Sequence, residues 1–171
     1  MAGLKNAITS ILTKLQDVTE LQFIRVWNNQ LAQDEQGQIY SFPKPAAFVE
    51  ARTPNPFLPL GGGFSQSDIT FVIHLVHEQY DAGDGTFEQN LDVFDLKAKI
   101  VTLLTNWKPD MCSGLMKVAE VQHYEHTNLY HYQIEFLTGL IDDAGSDDNK
   151  GLNITKEPPT DLTIEVTWQG A

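Results

Sequence analysis

The chain contains a single cysteine, Cys112, among 171 residues, so no internal disulfide can form. That excludes a disulfide-stapled secreted scaffold. Cationic side chains are scarce as well: 11 Lys and Arg face 23 Asp and Glu, a net charge of −12. Nucleic-acid affinity rests on cations displacing phosphate counterions, so this balance argues against phosphate-tracking binding. It argues equally against docking on an anionic membrane surface. Long apolar runs are missing too. No stretch approaches the roughly 20 residues needed to cross a bilayer. The N-terminal MAGLKNAITSILTKLQDV lacks the uninterrupted apolar stretch and cleavage site of a signal peptide. A soluble protein made in a cytoplasm is expected, with the sequon Asn153-Ile154-Thr155 unglycosylated. There is no Gly-x-Ser-x-Gly elbow, and no histidine accompanies Cys112 in a context that would make it a thiolate nucleophile.

What is present suits one globular domain over residues 1–171. The hydrophobic fraction is 42%, with nine Phe and three Trp. A domain of this length buries roughly two thirds of its unfolded surface, enough for an independent core. Residues 2–17 read as an amphipathic helix, with Leu4, Ala7, Ile8, Ile11, Leu12 and Leu15 on one stripe. Residues 21–28 and about 46–50 read as strands, separated by a polar turn from Gln30 to Gly37. The clearest strand is ITFVIHLVHE, residues 69–78, dense in β-branched and aromatic side chains. A helix is predicted over 91–106, capped by Asn90, with Asp92 and Asp95 in its first turn. Its expected buried stripe is Leu91, Phe94, Ala98, Val101 and Leu104. Strands follow at 115–125 and 130–138. Residues 142–160 form an acidic surface loop, and LTIEVTW at 162–168 alternates apolar and polar residues as a half-buried final strand. The expected class is α+β: a single mainly antiparallel or mixed β-sheet flanked by two α-helices, with long inter-strand loops.

The segment RTPNPFLPLGGGFSQSD, residues 52–68, is the least ordinary part. Its three prolines and three successive glycines predict a long irregular loop. Loops of this length in a compact domain usually have a task. Its large apolar groups either fold back over the chain's own core or reach onto a partner. A phosphate cradle is not expected, because no Gly-Lys-Ser/Thr follows the glycines.

The histidines require a test. VQHYEHTNLYHYQIEF, residues 121–136, holds His123, His126 and His131 among tyrosines and glutamates. Strand alternation puts Tyr130, Tyr132, Ile134 and Phe136 on one face, with His131, Gln133 and Glu135 on the other. Pairing about the turn would bring His123 near His131, which with a glutamate would make a weak metal site. The plainer expectation is that the aromatic rings face the core, while the imidazoles face water or a subunit boundary. His74 and His77 fall on opposite faces and cannot grip one ion. The zincin pattern also fails, since His74-Leu75-Val76-His77-Glu78 lacks its spacing. A calcium-loop register beginning at Asp143 would place Asp148 where glycine is required and Ile154 at the twelfth position. No metal, no cofactor and no catalytic residue is therefore expected.

The N-terminal helix, FPKPAAFVEA, NPFLPLGGGFSQSD, ITFVIHLVHEQY, LDVFDLKAKIVTLLTNW and YEHTNLYHYQIEF occur in an order that resembles the tail terminator (tail completion, minor tail) proteins of bacteriophages. The resemblance covers about residues 1–140. It implies a structural virion protein that is not an enzyme. Such a protein assembles in the host cytoplasm as a ring, expected to be hexameric, at the head-proximal end of the tail. It ends tube polymerisation and meets the tail tube protein and a head-completion or connector protein. DNA passes only as cargo, which an acidic lining repels. The interface residues implied are position 55 (Asn55, between Pro54 and Pro56), Phe57, Leu58, Pro59, Leu60 and Phe64, with His123, His126 and His131. The acidic lumen or surface residues are Asp142, Asp143, Asp147 and Asp148. A head–tail adaptor, neck or baseplate-proximal protein is the alternative, and a small metal-dependent hydrolase using the histidines the remote one.

Overall fold

The computed structural model describes residues 2–32, 41–53, 55–78, 88–125 and 129–146. The final strand expected at 162–168, most of the acidic loop with Asp147 and Asp148, and His126 lie outside the described residues.

Among the described residues two helices and six strands follow the chain as α1 (Ala2–Leu15), β1 (Phe23–Val26), β2 (Ala46–Arg52), β3 (Leu58–Gly61), β4 (Phe64–Glu78), α2 (Glu88–Leu104), β5 (Met116–His123) and β6 (Leu129–Asp142). The strands make one mixed sheet in the order β1-β2-β4-β6-β5, with β3 added to β4. Only β1 and β2 run parallel; the other pairs are antiparallel. The expected α+β fold is thus observed.

Alternation along β4 and β6 sets the two faces of the sheet. Phe71 opposite Phe136, Ile73 opposite Ile134 and Leu75 opposite Tyr132 form the floor of the main core. Both helices cover that floor. Ala7, Ile11 and Leu15 of α1 are fully buried, and Leu4, Ile8 and Leu12 pack beside them, as the periodicity predicts. Each large aliphatic side chain sealed here contributes on the order of 1.5–3 kcal/mol.

Helix α2 departs from expectation. It begins at Glu88, so Asn90 lies inside it and is not its cap. Val93, Leu96, Ile100 and Leu104 face the core, whereas Leu91 and Phe94 are 56% and 44% exposed. Apolar residues occupy more than one arc of this helix; the arc of Val93, Leu96, Ile100 and Leu104 meets the sheet, and Ala98 of the expected stripe is exposed. Phe94 instead stands edge-on to Tyr132 at the rim, with Lys97 Nζ 5.2 Å from its ring centroid.

Residues 52–68 are also corrected. They are not irregular throughout: β3 and the start of β4 form a hairpin turned by Gly61, Gly62 and Gly63, all at positive φ. Pro59 is tolerated because β3 sits outside the continuous strand order, where a missing N–H costs no central ladder bond. Strand β4 consequently begins at Phe64 rather than residue 69.

Candidate functional site

The helix-free face of the sheet divides into a covered half and an open half. Over the covered half, the chain leaving β1 folds back, and Leu31, Phe42, Phe48 and Val76 are buried together with Phe23 and Trp27 packed on them. Trp27 lies flat on His74, ring centroids 3.8 Å apart and planes 8° apart. His74 in turn stacks near His131 at 5.3 Å, and His131 near His123 at 4.9 Å. The register produces this row, since His123 pairs with His131 across β5 and β6. The sequence expectation that those two approach each other is met.

The expectation that the imidazoles face water is not. His74 is 1% and His131 6% exposed. Parity does place them opposite the tyrosine face, but that second face has its own cover in Trp27. His74 Nε2 lies 2.9 Å from Glu50 Oε2, and His74 Nδ1 lies 3.0 Å from His131 Nε2. With Glu50 ionised and His74 neutral, the bonding order follows: His74 Nε2–H donates to Glu50, and His131 Nε2–H donates to His74 Nδ1. Burial pushes the His74 pKa below its ordinary value, against the opposing pull of Glu50. Burial also works to raise the Glu50 pKa, but hydrogen bonds from Arg52 and His74 hold it below the usual carboxylate value. Arg52 Nη2 donates to Glu50 at 2.8 Å and its Nη1 to Glu135 at 3.1 Å, so one guanidinium ties β2 to β6 across β4.

This network binds strands to one another and to the covering segment. Trp27 covers one ring face of His74, both ring nitrogens are hydrogen-bonded, and the side chain is buried, so no surface of His74 is open to a substrate. Among the described residues no group of three or more His, Cys, Asp and Glu is placed to hold a metal ion. His77 points the other way, with Nδ1 2.9 Å from the Glu78 carbonyl. The thiol of Cys112 is pushed up to about 11 by burial, with Asp110 adding to the rise, which suits an inert side chain.

The open half carries the other surface of interest. The β3–β4 hairpin exposes Leu58 (65%), Leu60 (55%) and Phe64 (40%), with Asn55 and Pro59 also exposed. Phe57 differs from its predicted companions, because it packs against the main core. The hairpin is anchored at its base. Ser67 Oγ donates to the Asn55 carbonyl at 3.1 Å, and Gly63 approaches Gly145 so closely that a Cβ on it would lie 1.9 Å from the Gly145 carbonyl oxygen. Asp142 and Asp143 are half-buried at this base, and Asp142 Oδ1 accepts the Ala144 N–H. The composition of residues 52–68 is enough to locate the apolar tip. Trp27 and Glu50 carry no such signal, because their roles depend on which strands become neighbours.

No protein-family model and no curated protein sequence matches this chain. Among solved structures, a chain from "Virion of native gene transfer agent (GTA) particle" shares the fold, with a TM-score of 0.50 and 10% sequence identity. The alignment covers 82% of this chain and 98% of that one.

Proposed function

We propose that this chain is a structural protein of a phage-type virion. It forms a ring at the head-proximal end of a tail tube, ends tube polymerisation and presents a surface to the head connector. The observation that carries this reading is the fold shared along nearly the whole of a chain from a gene transfer agent virion. The order of segments that resembles tail terminator proteins supports the tail position, and the exposed hairpin tip supports assembly. The ring, hexameric on this reading, is built from copies in which Leu58, Pro59, Leu60 and Phe64 reach the neighbouring subunit. Net charge of −12 suits a passage through which DNA slides without sticking. No reaction is assigned, because the histidine row is packed as a structural network.

Solution mass and negative-stain imaging test the proposal. The chain is expected to form closed rings, and added to polymerising tail tube protein it should cap tubes and arrest their growth. A chain that stays monomeric at all concentrations and leaves tube growth untouched sinks the reading. Binding at the distal tip instead would favour the adaptor or baseplate-proximal alternative.

A further inference from the structure

The ring requires a receptor for the hairpin, and the outer edge of the sheet beyond β2 supplies one. Strand β1 pairs with β2 only from Ala46 to Val49, ending at Val26, while β2 runs on to Arg52. Among the described residues no strand lies beside Glu50–Arg52 on that side. The chain leaves this line because Trp27 turns to cover His74 on the opposite face. Along the same edge lies a groove of about 340 Å³ lined by Leu4, Lys5, Ile8, Thr9, Leu12 and Val26. Its walls are almost wholly apolar, and Val26 is 47% exposed. A strand position left open beside an apolar groove is the setting in which an added extended segment gains both backbone pairing and side-chain burial.

Charge selects the occupant. The chain is strongly acidic overall, yet exposed Lys5 stands on the groove and exposed Arg25 lines the hollow adjoining Val26. The hairpin has the opposite character, an apolar tip rising from a base that carries exposed Asp68 together with Asp142 and Asp143. A chain's own hairpin is tied to β4 through Leu58 opposite Gln66 and Pro59 opposite Ser65, on the β2 side of β4 beyond the end of β2, and this pairing holds it in the sheet. Resting on the ring reading above, we infer that the groove between α1 and the end of β1 receives the β3–β4 hairpin of a second copy of this chain. Leu58 and Leu60 enter among Leu4, Ile8 and Leu12, and the acidic hairpin base meets Lys5 and Arg25. Tip and groove are different patches, so each copy gives to one neighbour and receives from the other. That heterologous contact closes into a ring when the rotation allows it.

Two surface variants test this. Leu58→Asp/Leu60→Asp damages the tip and leaves the groove, while Lys5→Glu/Val26→Asp damages the groove and leaves the tip. Each variant alone should be folded by circular dichroism and monomeric by light scattering. Mixed one to one, they retain a single good junction, tip of one into groove of the other, and should stop at dimers. A charge exchange, Lys5→Glu together with Asp68→Lys in one chain, should restore part of the assembly that either change alone weakens. Rings that form normally from the groove variant overturn the inference while leaving the ring reading intact. So do mixtures that never associate, and so does a groove protected by the chain's own residues 147–171 in hydrogen exchange on a ring-deficient variant. A wild-type chain that is monomeric throughout overturns both.

Discussion

At the scale of single residues, the molecule's unusual chemistry is spent on holding strands together. Trp27 over His74 is the keystone of the second face, and Trp27→Ala should destabilise the fold by about 3 kcal/mol, read as a lower urea midpoint. The pH dependence carries the signature of His74. Burial lowers its folded pKa, so below about pH 6.5 the unfolded chain binds a proton that the folded chain resists. Stability should therefore fall as pH drops below that value and continue falling until the lowered folded pKa is passed. Glu50 acts in a separate, more acidic window, because its folded pKa is also lowered and its stabilisation is lost only below the ordinary carboxylate value. Urea midpoints at pH 7 and 5.5 test the first window, and His74→Gln should be less stable at pH 7 but lose less on acidification. An unchanged pH dependence in that variant would refute the assignment. Cys112 should react with a thiol reagent at pH 8 far more slowly in the native than in the unfolded protein, given a pKa of about 11. Of this scale, sequence alternation makes the His123–His131 pair legible, since both residues sit at fixed offsets from one turn. The burial of His74 and His131 is not legible, because Trp27 and Glu50 reach them only after β1, β2 and β4 become neighbours.

At the scale of elements, strong periodicity and strong context part company. The α1 stripe is directly readable because its apolar residues occupy one arc, and Ala7, Ile11 and Leu15 are buried as that arc requires. In α2 two arcs compete, and the choice of Val93 and Leu96 over Leu91 and Phe94 belongs to the sheet it lands on. The hairpin shows the converse. Prolines and glycines that forbid a central strand are compatible with one paired only to β4. Two glycines of its turn should respond differently to alanine. At Gly61, φ is +89° and the added methyl meets nothing, so Gly61→Ala should cost only the left-handed backbone penalty of about 1–2 kcal/mol. At Gly63 the methyl would also strike the Gly145 carbonyl, so Gly63→Ala should cost more and loosen the hairpin base. Thermal melts of the two variants check the order. Replacing Leu58, Leu60 and Phe64 together with Ser should leave the melting temperature of the monomer nearly unchanged, because these side chains lie outside the core, and should abolish assembly.

At the scale of the whole molecule, acidic charge and apolar contact surfaces oppose each other. Copies carrying −12 each repel, and salt screens that repulsion over a Debye length of about 10 Å at 0.1 M. Rings should therefore be favoured by moderate salt and loosen when salt is removed, a trend measurable by sedimentation across a salt series. The order of segments along residues 1–140 resembles that of tail terminator proteins, and the chain shares its fold with a chain of a gene transfer agent virion. The groove between α1 and the end of β1 is less legible, since it exists only where β1 stops short of β2. The most direct test is the native mass of the 171-residue chain at assembly concentrations and moderate salt. One closed oligomer at an integral multiple of 19.2 kDa is expected, six on the hexameric reading, reduced to monomer by the hairpin-tip variant. A wild-type protein found only as monomer, or an oligomer indifferent to loss of Leu58, Leu60 and Phe64, would contradict it.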